Sequence, residues 1–138
     1  MSKGRKVALI WIWVAVLLSM QGGGVLGPAP PFPADKLSVL IVEETGDRKD
    51  LSPGQLDIIA SNGAGSVVDW IGQHGGQRRT LDKDDGTEME EAWVKAAMSA
   101  PRQSVPWVVA SNGRTGFSEP LPKDRATLIA KLTPLGGK

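Results

Sequence analysis

The sequence predicts an α/β domain, a central mixed sheet of about four strands with helices on both faces, behind an N-terminal signal or anchor helix. Three observations predict it. Short apolar runs alternate with helical stripes from Leu37 onward, and that alternation builds a sheet covered by helices. Near the end, Trp107-Val108-Val109-Ala110 runs from Pro106 into Ser111-Asn112-Gly113, and Asn-Gly after a β-branched run is a strong hairpin signal. Before Leu37 the composition changes altogether, from a charged start through an apolar run to a proline cluster.

Residues 1–27 read as an address. Lys3, Arg5 and Lys6 precede an apolar run from Val7 to Met20, and Gln21 to Gly24 follow, the charged, apolar and small-residue regions of a secretory signal. Cleavage fits after one of Gly22 to Gly24 or near Gly27, where Pro28 disfavours it. The protein is then secreted or periplasmic. The alternative is an uncleaved membrane anchor over residues 7–26, which would be the chain's only membrane contact. Residues 28–36 hold Pro28, Pro30, Pro31 and Pro33 and read as a stiff extended linker. Residues 37–135 are the domain and 136–138 a short tail.

Within the domain, Leu37 to Val42 is an almost unbroken apolar run, as expected of a strand buried on both faces. Glu43 to Asp50 is charged and reads as the loop after it. Ser52-Pro53 starts a helix, serine as N-cap and proline in the first turn, with Leu56, Ile58 and Ile59 on the inner face. Ser61 to Gly65 interrupts it. Ser66 caps a second piece carrying Val67, Trp70, Ile71 and His74 at helical spacing, and Gly75-Gly76 ends it. Gln77 to Leu81 is the next strand. Thr87-Glu88-Met89-Glu90 has the form of a capping box opening a helix with Met89, Ala92, Trp93, Ala96, Ala97 and Ala100 as its apolar stripe, which Pro101 closes. After the hairpin, Arg114 to Glu119 pairs back and Lys123 to Leu132 is a closing helix. The order implies a mostly parallel sheet with an antiparallel hairpin at its edge.

Charge excludes one class of function. Three of the 16 Lys and Arg precede Asp35, so 13 remain against 15 Asp and Glu. No basic patch with interleaved aromatics appears, which argues against nucleic-acid binding. Zero cysteines exclude disulfides, thiol catalysis and thiolate-bound metals. Asp82-Lys83-Asp84-Asp85-Gly86 resembles a calcium loop only in composition. With Gly86 at the sixth position, Leu81 and Lys83 occupy the first and third, where carboxylates are needed. The stretch reads as a solvated turn, and no metal or cofactor is implied.

Ser104-Val105-Pro106 ahead of a strand, the Asn112-Gly113 turn, a partner strand and a C-terminal helix together resemble the second half of a thioredoxin-like domain. The likeness covers roughly Leu37 to Leu135 in pattern and order. It implies a cis Pro106 at the mouth of a groove that holds an extended peptide by strand addition. By that resemblance Val105, Pro106 and Trp107 form one wall, with Trp107 exposed, and Glu44, Thr45 and Asp47 belong to the other. The family's cysteine pair would fall in Glu44 to Pro53, which has none, so the resemblance implies a redox-inactive domain binding a peptide or protein.

Two other readings stand beside it. One is an enzyme of non-thiol chemistry using His74, the only histidine, or the carboxylates of Asp82, Asp84 and Asp85. No nucleophile elbow accompanies them, and His74 at a helix end also suits a cap. The other is a tethered structural component of the cell envelope or surface. Trp70, Trp93 and Trp107 are otherwise expected in the core.

Overall fold

The structure is a computed structural model and describes residues 28–136. The expected signal or anchor segment lies outside these residues. Among the described residues no helix is long and apolar enough to cross a membrane.

The core is one four-stranded sheet. Strand β1 (Ser38–Glu43) is buried at all six positions, as its apolar run requires. It pairs in parallel with β2 (Gln77–Asp82) and antiparallel with β3 (Trp107–Ser111), which pairs antiparallel with β4 (Gly116–Pro120). The order across the sheet is β2-β1-β3-β4. Side chains alternate between two apolar layers. Val39, Ile41, Val108 and Ala110 face helices α1 (Pro53–Ala60), α2 (Val67–Gln73) and α4 (Arg125–Leu132). Leu40, Val42, Trp107 and Val109 face α3 (Ala92–Met98) together with Phe32. Helices therefore cover both faces.

The expectation of a mostly parallel sheet is wrong, since two of the three pairings are antiparallel. The connection after β2 explains this. A helix following β2 directly would carry the chain back along the sheet and make β3 parallel. Here Lys83 to Glu91 makes that return without a helix. Its start is tied to β1 by Lys83 N–H donating to the Glu43 carbonyl (2.7 Å). Further along, Arg79 donates twice to Glu90, at 2.8 and 2.6 Å. Helix α3 then runs the other way, and β3 enters from the opposite end.

The same segment corrects the capping box. Thr87 to Glu90 is a turn, Glu91 is the N-cap of α3, and its side chain makes no capping bond. Glu90 is already committed to Arg79. Moving the helix start by four residues changes its inner face: Val94, Ala97 and Ala100 are buried, while Met89 is 97% exposed. The other caps follow the sequence. Ser52 and Gln55 form a reciprocal capping box on α1, and Ser66 accepts from Asp69 N–H on α2. At the far end of α1, the carbonyls of Ile58 and Ile59 accept from Arg78, at 2.7 and 3.3 Å.

The proline-rich stretch, expected as a free spacer, is docked on the domain. Phe32 is only 3% exposed and stacks on Trp93, ring centroids 5.9 Å apart. Its carbonyl accepts from the Ser111 hydroxyl at 2.8 Å, and the Pro28 carbonyl accepts from the Thr115 hydroxyl at 2.7 Å. Gly113, at φ +90°, turns the hairpin so close to this stretch that a Cβ there would meet the Ala34 carbonyl at 2.0 Å. Phe32→Ala is accordingly expected to cost about 3 kcal/mol, read by urea denaturation of the full chain. A cost below about 0.5 kcal/mol, the range of surface changes, would mark the stretch as a tether only.

Candidate functional site

Open α/β sheets place their ligand sites where strands end and connections diverge. Here β1 and β2 finish beside the start of β3. The chain leaves β1 through Glu43, whose carboxylate is buried and takes a two-pronged contact from Arg48, Nε to Oε1 at 2.8 Å and Nη2 to Oε2 at 2.5 Å. This pair folds Thr45–Asp50, expected as an irregular loop, into a turn of 3-10 helix with Glu44 as N-cap. Opposite stands Val105, joined to Pro106 by a cis peptide bond. The Pro106 carbonyl accepts from Leu121 N–H at 3.0 Å, so pairing with the β4 side begins at Pro106. The Val105 N–H and carbonyl have no hydrogen-bond partner among the described residues.

Between these walls lies a cleft of about 250 Å³, lined by residues that include Glu44, Asp47, Asp50, Leu51, Val105, Pro106 and Lys123. Four residues singled out from the sequence therefore meet: Glu44, Asp47, Val105 and Pro106. Gln55 closes the floor. It is 6% exposed, accepts from Ser52 N–H at 3.2 Å and donates to the Leu121 carbonyl at 3.0 Å. Sequence reasoning missed Asp50, Leu51, Gln55 and Lys123 as lining residues. Gln55 had a local signal, its place three residues after the Ser52 cap. Lys123 had none, since only the fold brings the β4–α4 connection to this cleft.

Two expected wall residues go elsewhere. Trp107 is 6% exposed, not open at the mouth. It is the first residue of β3, facing Val42 and Pro120 across the sheet, and its indole N–H donates to the Ser118 hydroxyl at 2.8 Å. Thr45 turns to the end of β2, where its hydroxyl and its N–H (2.8 Å) both donate to the Asp82 carboxylate.

Asp82 also accepts from Asp84 N–H at 2.9 Å. These donors, the Thr45 hydroxyl foremost, hold its carboxyl at about 2, against an ordinary 3.8. Asp85 accepts from Asp82 N–H at 2.9 Å. The three aspartates thus bind their own turn. Oxygens of Glu44, Asp82 and Asp84 lie within 4.8 Å of one another, and the Lys83 ammonium already joins Glu44 and Asp84, at 3.1 and 3.0 Å.

His74 follows α2 as its C-cap, and Asp82 ends β2, so the six residues of β2 separate the two candidate reactive groups. At about 3.3 Å per residue that spans roughly 20 Å. The His74 ring stacks on Trp70 (centroids 3.9 Å apart), and its Nδ1 lies 2.8 Å from the Trp70 carbonyl. That contact belongs to a helix end. A second cleft, of about 280 Å³, opens on the other side of Val105, with Lys83, Asp84, Arg102, Gln103 and Ser104 around it.

Because Asp82 loses its proton more readily in the folded state, its bonds stabilise the fold above the ordinary carboxyl range, and that contribution is lost as pH falls from 3.8 through about 2. Thr45→Val is expected to raise the Asp82 value toward 3.8, read from the side-chain carboxyl carbon shift across a pH series. An unchanged midpoint would mean that the hydroxyl does not set it. Compared with protein-family models, with curated proteins and with solved structures, the chain gives no match.

Proposed function

We propose that this chain is an exported, redox-inactive, thioredoxin-like module that binds an extended peptide or protein segment in the cleft beside Pro106. It is secreted or periplasmic after cleavage of residues 1–27, or is anchored by residues 7–26. The observation that carries the binding reading is the state of Val105. Its main-chain donor and acceptor are unused among the described residues, and they stand between two clefts at the place where strand pairing stops. An extended segment laid there satisfies them by adding a strand. The strand order β2-β1-β3-β4 with helices on both faces supports the thioredoxin-like reading, as does the meeting of the β1-following loop with Pro106.

The absence of cysteine leaves the groove without a thiol nucleophile. The carboxylates of Glu44, Asp82 and Asp84 are engaged by Lys83 and by backbone N–H groups, which favours binding over proton transfer. The docked Pro28–Phe32 stretch meets the domain at Ser111 and Thr115, beside the hairpin turn at the opposite end of β3 from Pro106. Chain entering through that stretch leaves the mouth open to a partner.

The test is a titration of the full chain, ¹⁵N-labelled, with a pool of extended peptides. Amide shifts are expected at Val105, Glu44 and Asp47, with His74 and Trp70 unmoved. No shift across the pool, or shifts centred on His74, would remove this reading.

A further inference from the structure

The two clefts beside Val105 carry opposite charge. On the Pro106 side, Glu44, Asp47 and Asp50 face a single cation, Lys123. Glu44 is bonded to Lys83, whereas Asp47 and Asp50 have no ion-pair partner among the described residues. On the other side the balance reverses. Lys83 and Arg102 face Asp84 alone, and Asp84 is held by Lys83. The Arg102 guanidinium donates to the Met98 carbonyl at 2.9 Å and has no carboxylate partner among the described residues. One main-chain docking point thus lies between an acidic cleft and a basic one.

Resting on the binding reading above, we infer that the partner is a polarised extended segment: a Lys or Arg side chain enters the cleft of Asp47 and Asp50, and an Asp or Glu side chain reaches Arg102. Side chains at alternate positions of an extended strand point to the same face, so one segment pairing with Val105 can fill both clefts. Complementary charge then fixes its direction and rejects segments of one sign, which meet a like charge on one side.

The experiment uses four peptides on one uncharged extended frame: one with a basic and an acidic residue flanking the centre, one with the basic residue only, one with the acidic residue only, and one with neither. Each is titrated into the full chain, with affinity read from the Val105 amide shift. The doubly charged peptide is expected to bind about three- to tenfold more tightly than the neutral one, the scale of two partly exposed ion pairs. The gap should close near about 0.5 M salt. Asp47→Asn with Asp50→Asn should erase the preference for the basic residue alone. Arg102→Gln should erase the preference for the acidic residue alone, while glutamine keeps an N–H for the Met98 carbonyl. Four equal affinities would overturn the polarised partner and leave the groove standing. A preference that survives both variants would overturn these residues as its source. No Val105 shift with any of the four would overturn the groove and this inference together.

Discussion

Everything in this fold depends on one strand having no surface. All six residues of β1 are buried, which is possible only if neighbouring strands take its backbone groups and both faces are covered. β2 and β3 supply the first condition, the two helical layers the second. A strand so enclosed has no room for polar chemistry along its length, because a buried polar group without a partner costs more than its apolar equivalent. Polar function is displaced to its ends. Glu43 marks the boundary: it is the last residue of β1, buried with its carboxylate, and tolerable there because Arg48 bonds both oxygens. That ion pair shapes the first wall of the cleft.

The second wall follows from topology. Lys83 to Glu91 makes the return that a helix would otherwise make, so β3 begins beside the ends of β1 and β2. Val105 and Pro106 are thereby set against the turn that Glu43 and Arg48 organise. A parallel β3 would begin at the other end, near His74, and the cleft would lose one wall. The Arg79–Glu90 contact, far from the site, is therefore part of what positions it.

The legible parts of the fold were those written in local, uncontested patterns. The apolar run of β1, the Ser52 and Ser66 caps and the Pro106-to-Asn112 strand all formed where their residues indicate. The misread parts were settled by distant partners. Thr87-Glu88-Met89-Glu90 has the local form of a capping box, but Arg79 takes Glu90, and the helix starts later with another face inward. Phe32 lies among prolines that suggest a spacer, yet Trp93 and Ser111 draw it down. Of the site, Glu44, Asp47, Val105 and Pro106 could be brought together because a resemblance supplied the order of elements. Lys123 and Arg102 could not, since nothing near either residue marks it as lining a cleft. Trp107 is misplaced for a simple reason: position next to Pro106 suggests the mouth, but β3 is buried at all five positions, and its first residue packs beside Val42 and Val109 in the layer that α3 covers.

The two ends of the sheet divide their work. At the hairpin end, Gly113 lies against the Ala34 carbonyl, Ser111 and Thr115 hold the proline-rich stretch, and the Asn112 side chain donates to the Leu135 carbonyl at 3.0 Å. There the side chains of Ser111, Asn112 and Thr115 are spent on holding neighbouring segments to the turn. At the other end, β1 pairs with β3 as far as Val42 opposite Trp107, β4 pairs as far as Pro120, and Leu121 adds one last bond to Pro106. Pairing with β1 therefore ends at Trp107 and pairing on the β4 side at Pro106, so Val105 is paired on neither side. A strand interrupted on one side is an ordinary edge. A strand interrupted on both sides, with charged clefts to either hand, presents the unpaired main-chain groups of Val105 at the end of a fully paired sheet.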